Sequence, residues 1–319
     1  MNETSDLPIN ALKPEVAHSF ADLIKHSSGS AAGYHAVSEW MTCPERARLK
    51  ALGVHRIAGD FDGTIELNAL DFGTLCHYIR ALRVAYGHTA AMETLDTYRR
   101  EIGDQSYLKC AALFGQYEQT VPRDQDSLEY LAIEPEVRTN IARPGNAPII
   151  RSVRYDTLVY AAAVVTGVKE LFSFEAKTMS RSGMGSIDPY NPQGMIQVAL
   201  WNANPALVAK YGEMQGVIFD CLIKTKSPST DRVPRYYSKR QQILALEYMR
   251  LPEPGAPGSP TGVQFSVLPD GRFPRMLHSC WGRWSPCDFI DACHEDSWGG
   301  YADREGNRLT QCPGTLVGR

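Results

Sequence analysis

Between Arg154 and Met179 the chain carries two apolar runs separated by a short polar break. Thr157-Leu158-Val159-Tyr160, continuing through Ala163-Val164-Val165, is rich in β-formers, and Val168 to Phe174 forms a second run around Leu171, Phe172 and Phe174. Thr166-Gly167 supplies the turn between them, so the pair is expected to fold as a hairpin. Asp156 precedes the first run, and Glu175-Ala176-Lys177 closes the second. In a hairpin of that size Asp156 and Glu175 lie near each other at one end of the sheet. Lys177, two residues on, shares the face of Glu175.

Helical patterns flank this centre. In residues 71–86, Leu75, Ile79, Leu82 and Tyr86 recur at helical spacing, with Thr74 or Asp71 as the expected cap and His77 in the first two turns. Residues 90–120 read as a further helical layer. A helix begins around Met195 and ends before Pro205, with Gln197 and Trp201 four apart on one face. Residues 216–224 read as a buried strand and 238–251 as a helix. Arg143 to Pro148 reads as a loop into the hairpin, and KTKSPSTDRVPR as a basic loop carrying Lys224, Lys226, Arg232 and Arg235. Near the C-terminus, FSVLPDGRFPR reads as a hairpin turning at Asp270-Gly271. Residues 1–33 form a polar leader that includes a short amphipathic pattern between Asp6 and Lys25. The remainder, 34–319, reads as one α/β domain with a helical insertion at about 87–130 and a cysteine-rich segment at 278–319.

Composition narrows the classes. With 43% hydrophobic and 22% charged residues the chain is that of a globular protein, and no apolar run approaches the ~20 residues of a membrane helix. The first residues lack the pattern of a secretory signal, so no membrane partner and a cytoplasmic location are expected. A net charge of -3 argues against a general nucleic-acid coat, while leaving room for an enzyme whose basic groups are confined to one groove. Of eight cysteines, Cys280, Cys287 and Cys293 crowd together near the C-terminus. Two carboxylates converging beside a lysine make a hard, oxygen-rich site suited to Mg²⁺ or Mn²⁺. The basic residues after the 216–224 strand suit a rim that contacts phosphates.

Taken in order, several stretches resemble the RecB-like branch of the PD-(D/E)XK nuclease superfamily, which includes phage and CRISPR-associated exonucleases. Ser38, Cys43-Pro44 and Arg46 resemble its opening motif, and Gly73-Thr74 with His77 its G-x3-H helix. Asp156 corresponds to the acid of the broken PD motif, here preceded by Tyr155, and Glu175-Ala176-Lys177 to the (D/E)-x-K triplet. Gln197 with Trp201 is similar to the Q-x3-Y motif, with Trp in place of Tyr. Gln193 followed by Gln197 is a competing register, and which glutamine fills the role is open.

The resemblance implies a restriction-endonuclease-like core, a central mixed sheet flanked by helices, with helical insertions and a C-terminal cysteine clasp. It implies a metal-dependent DNA exonuclease serving phage-type recombination, replication or repair, in a bacterium or a phage-infected cell. A helicase or a single-strand annealing protein would be a separate partner chain. Asp156, Glu175, the Ala176 carbonyl and His77 would hold Mg²⁺ or Mn²⁺, which activates water and acts as a Lewis acid. Lys177 would orient or deprotonate that water, Gln197 would contact substrate or order the lysine, and Arg46, Lys224 and Lys226 would hold DNA. Cys43 with Cys280, Cys287 and Cys293 is similar to the ligand set of a [4Fe-4S] cluster in part of the family. Cys312 could substitute for one ligand, and the alternative is a tetrahedral Zn²⁺ site of Cys280, Cys287 and Cys293 with Cys43, His278 or His294. A rival class is a catalytically inactive nucleic-acid-binding or assembly module that keeps the fold. A third, a metal or iron–sulfur carrier, would not need the E-x-K hairpin.

Overall fold

The structure, a computed structural model, describes residues 17–26, 49, 54–56, 66–121, 127–143, 146–162, 167–179, 191–250, 301–302 and 306–309. The chain divides into two compact units. One comprises Met1–Ser30 with Phe61–Tyr248, and the other Ala31–Asp60 with Met249–Arg319.

The first unit is mixed α/β. Its central sheet runs in the order β2 (Glu129–Ile133), β5 (Thr157–Ala162), β6 (Lys169–Met179), β7 (Met214–Ile223), β8 (Ser229–Tyr236). β6 and β7 are parallel and the other neighbours antiparallel. The expected hairpin is present: β5 pairs with β6 from Thr157 opposite Phe174 to Ala162 opposite Lys169, and Gly167 in the turn has a φ of 65°. The parallel step from β6 to β7 needs a crossover, and α4 (Pro192–Asn202) and α5 (Pro205–Tyr211) lie within it. Both helices start as their sequences dictate, with Asn191 or Asn204 capping and proline in the first turn.

On one face of the sheet lie α2 (Ala69–Tyr86) and α3 (His88–Thr120), two helical stretches of α3 being joined at Gly103. Their apolar stripes meet in a core that includes Leu75, Ile79, Leu82, Leu95, Ile102 and Phe114. The short helix α1 (Phe20–His26) joins this core through Phe20 and Leu23. The amides of Phe20 and Ala21 donate to Glu101 Oε2, which satisfies helix-start donors that would otherwise lack partners.

Three readings from sequence need correction. The cap of α2 is Asn68, which accepts from the Leu70 and Asp71 amides, rather than Thr74 or Asp71. The stretch 143–148 is not a loop throughout. β3 (Glu136–Arg143) and β4 (Asn146–Arg154) form a separate antiparallel pair, with only residues 144–145 between the strands. Arg232 and Arg235 belong to β8, not to a solvated loop. β8 is an edge strand, so Pro234 and its charged neighbours fit there without breaking a central ladder. The pairing is close at Gly216, where a Cβ would meet the Arg235 carbonyl oxygen at 2.1 Å.

In the second unit, β1 (His55–Arg56) pairs antiparallel with β9 (Tyr301–Ala302), and Leu49, Val54, Met249 and Tyr301 are buried. The hairpin expected at Asp270-Gly271 lies outside the described residues. Among the described residues no helix is long and apolar enough to cross a membrane.

Candidate active site

The β5–β6 register decides the geometry. Because Thr157 faces Phe174, Asp156 falls opposite the Glu175–Ala176 step. Asp156 Oδ2 accepts from the Ala176 amide at 2.9 Å, and the Asp156 amide lies 3.5 Å from Glu175 Oε1. Tyr155, in the position before the acid, is fully buried. Its hydroxyl donates to the Gln197 carbonyl at 2.9 Å, and its ring meets Trp201 edge-on. Tyr155 therefore fixes the start of β5 against α4.

Glu175 and Phe174 point to opposite faces, as neighbours on a strand must. On the α4 side, Gln193 and Gln197 stand one helical turn apart and both reach Glu175. Gln197 Nε2 donates to Oε1 of the acid, and Gln193 Nε2 donates to Oε2 at 2.9 Å. Gln193 Oε1 accepts from Lys177 Nζ at 3.1 Å, while Lys177 Nζ is 3.8 Å from Glu175 Oε2. One amide thus bridges acid and lysine. Its orientation follows from the chemistry, since the reverse would set NH₂ against the ammonium and oxygen against the carboxylate. The sequence left the choice between the glutamines open; both contact Glu175, and Gln193 alone of the two is bonded to Lys177. Trp201 is buried, with its ring against Tyr155 and its indole N–H donating to the Gly212 carbonyl.

From the other face, His77 on α2 brings Nδ1 to 3.3 Å from Asp156 Oδ2. His77 is 35% exposed and Asp156 27%, so the two sit at the rim, whereas Glu175 is 1% exposed. Burial pushes the Glu175 carboxyl up to about 7, with Asp156 adding to the shift and Lys177 and Gln197 opposing it. Burial holds His77 below its ordinary value, against the pull of Asp156.

The structure therefore brings together His77, Asp156, Glu175, Ala176, Lys177 and Gln197, and adds Gln193. Lys224 follows β7 directly, and its amide donates to the Met179 carbonyl at the end of β6, so it stands at the same sheet end as Lys177. Its ammonium lies 5.3 Å from the Phe72 ring centroid. Lys226 is exposed on the turn beyond. Cys43, Arg46, Cys280, Cys287 and Cys293 lie outside the described residues. Among the described residues, no three His, Cys, Asp or Glu side chains are already gathered as a metal cage. Asp156 at the rim and the buried Glu175 beside it are hard oxygen donors of the kind a divalent ion such as Mg²⁺ or Mn²⁺ takes.

A scan against models of protein families finds no match, and no curated protein matches the chain. Among solved structures, one titled "Crystal structure of SSO0001" is similar at 12% identity and a TM-score of 0.26. The match covers 55% of this chain and 70% of that one, and a likeness so slight carries no inference.

Proposed function

We propose that this chain is a metal-dependent deoxyribonuclease of the RecB-like PD-(D/E)XK type, acting as an exonuclease on a restriction-endonuclease-like core. One observation carries the reading. Asp156 and Glu175-Ala176-Lys177, nineteen to twenty-one residues apart in sequence, meet across adjacent strands, with His77 and two glutamines converging on them from opposite faces.

Asp156, Glu175, His77 and the Ala176 carbonyl would hold Mg²⁺ or Mn²⁺, which when bound supplies Lewis-acid stabilisation of phosphoryl charge and lowers the pKa of water. Lys177 orients the attacking water or neutralises charge on the phosphate. Gln193 bridges the lysine and Glu175, whose charges also face each other directly at 3.8 Å. Lys224 and Lys226 would receive the phosphate backbone.

The deciding experiment is incubation of end-labelled linear DNA and of circular DNA with Mg²⁺ or Mn²⁺, with and without chelator. Loss of linear DNA alone, stopped by chelator, is the expected result. DNA binding without cleavage of either substrate would favour the inactive binding module.

The iron–sulfur clasp is part of the same proposal. His55–Arg56, which follow Cys43 in the sequence, pair with Tyr301–Ala302, which follow Cys280, Cys287 and Cys293, and this pairing supports a ligand set drawn from both parts of the chain. A cluster joining points so far apart in sequence would stabilise by closing a long loop, on the order of 4–5 kcal/mol by analogy with a disulfide. Anaerobically purified protein is expected to be brown and to hold iron, and Cys293→Ala to lose both colour and iron. Colourless protein containing zinc would replace the cluster with a zinc site.

A further inference from the structure

We infer that Arg80 is a positioning residue for His77, holding α2 at the one rotation and height on the sheet that sets the imidazole against Asp156. This role rests on the proposed nuclease site, and it assigns work to a buried ionic cluster on the face of the sheet opposite the glutamines. Arg80 is fully buried, and its Nε donates to Asp220 Oδ2 at 2.8 Å. The same oxygen accepts from the Tyr117 hydroxyl at 2.8 Å, and Arg232 Nε approaches Asp220 Oδ1 at 3.4 Å. Arg232 Nη2 donates to the Tyr117 hydroxyl at 3.0 Å. Both guanidinium groups lie over the Phe174 ring, 4.1 Å away for Arg80 and 5.0 Å for Arg232.

This cluster ties five elements at the residues next to the proposed chemistry. Phe174 precedes Glu175, Asp220 stands opposite Ala176 in the β6–β7 register, and Arg80 is one turn along α2 from His77. Tyr117 belongs to α3 and Arg232 to β8. Stability alone does not account for the arginine. Its Nη2 is buried with no partner among the described residues, and an apolar side chain of similar volume would avoid that cost. An apolar contact, however, tolerates sliding and rotation of a helix. A hydrogen-bonded pair stacked on a ring does not, and fixing register is the best-attested use of a buried ion pair. His77 is only one turn from Arg80, so sliding or rotation of α2 at Arg80 is carried directly to the 3.3 Å contact with Asp156.

The test is a double-mutant cycle read by Mn²⁺ titration calorimetry, with urea unfolding in parallel. Arg80→Lys and Arg80→Met are made in the wild type and in His77→Ala. In the wild-type background each is expected to weaken Mn²⁺ binding about tenfold or more, the range for groups that orient a metal ligand. In the His77→Ala background the same changes are expected to alter binding less than about twofold, because Arg80 acts through the missing side chain. Equal weakening in both backgrounds, or none in either, would overturn the inference. If Arg80→Met does not fold, Arg80→Lys, which keeps a charge for Asp220, carries the cycle. Ring ¹⁵N spectra of His77 in the metal-free protein supply a readout independent of the metal site. A shifted or broadened His77 signal in folded Arg80→Lys supports positioning, and an unchanged signal refutes it. Wild-type protein that binds no Mn²⁺ while the His77 signal responds to Arg80 would overturn the metal-site reading and leave the positioning intact.

Discussion

Glu175→Gln is expected to lose metal-dependent cleavage by on the order of a thousandfold or more, and to remove a pH dependence of stability from the metal-free protein. In the proposed nuclease the loss is large because Glu175 would both hold the ion and place Lys177; removing even one charge-stabilising donor from an active site costs about 10²–10³. The stability effect follows from burial. The Glu175 carboxyl, 1% exposed, is raised from 4.5 to about 7. Between those values the folded protein retains a proton that the unfolded chain has released, so stability falls as pH rises from about 4.5 to about 7, then levels off. The full shift corresponds to on the order of 3 kcal/mol. Glutamine has no such proton to lose. Gln197 Oε1, which has no partner among the described residues, can meet the new amide by a turn of the Gln197 side chain. Urea unfolding in chelator at pH 5 and pH 8 measures this: wild type should lose about 2–3 kcal/mol more than the variant across the interval. Equal losses would show that the carboxyl is not destabilised where it sits, and wild-type cleavage by the variant would remove Glu175 from the chemistry.

The largest effect on folding is expected at Asp220. Asp220→Ala leaves two guanidinium groups, Arg80 and Arg232, without the carboxylate that both approach, and takes an acceptor from the Tyr117 hydroxyl. Breaking a buried pair by deleting one partner typically costs about 3–5 kcal/mol, because the remaining charge stays desolvated. Asp220→Asn keeps an oxygen acceptor and should recover part of that loss. The urea midpoint reads both variants. A loss below about 1 kcal/mol for Asp220→Ala would mean that the cluster relaxes or hydrates freely.

The sequence made the centre of the site readable because its signals are local. Two β-rich runs around Thr166-Gly167 gave the hairpin, and the period of two put Lys177 on the face of Glu175. Helical spacing likewise gave the segments around His77 and Gln197. Local signals fail where long-range pairing decides. β3 and β4 were hidden because Pro144-Gly145 and the flanking polar residues look like a loop, although the strands pair over seven positions. β8 was hidden because an edge strand tolerates Asp231, Arg232, Pro234 and Arg235, the residues that also mark solvent-exposed turns. Arg80 and Arg83 lie within a helix whose pattern assigns basic residues to the wet side, yet both are buried against acids contributed by distant elements. The His77-to-Arg80 spacing of one turn was visible, but nothing in the sequence showed that Asp220 would face it. The bridge from Gln193 to Lys177 was equally beyond reach, since two glutamines one turn apart give no sign of which partner each will meet.

The β1–β9 pair has a consequence for the order in which the molecule assembles. His55 and Arg56 leave the ribosome roughly 240 residues before Tyr301 and Ala302, on the order of 10–50 s at ordinary elongation rates. The unit around β2, β5, β6, β7 and β8 is fully synthesised before β9 exists. During that interval β1 lacks β9, its partner among the described residues, and Cys43 has been made without the C-terminal cysteines. Any cluster shared between them would therefore form late in biogenesis, after Asp156 and Glu175 have already emerged.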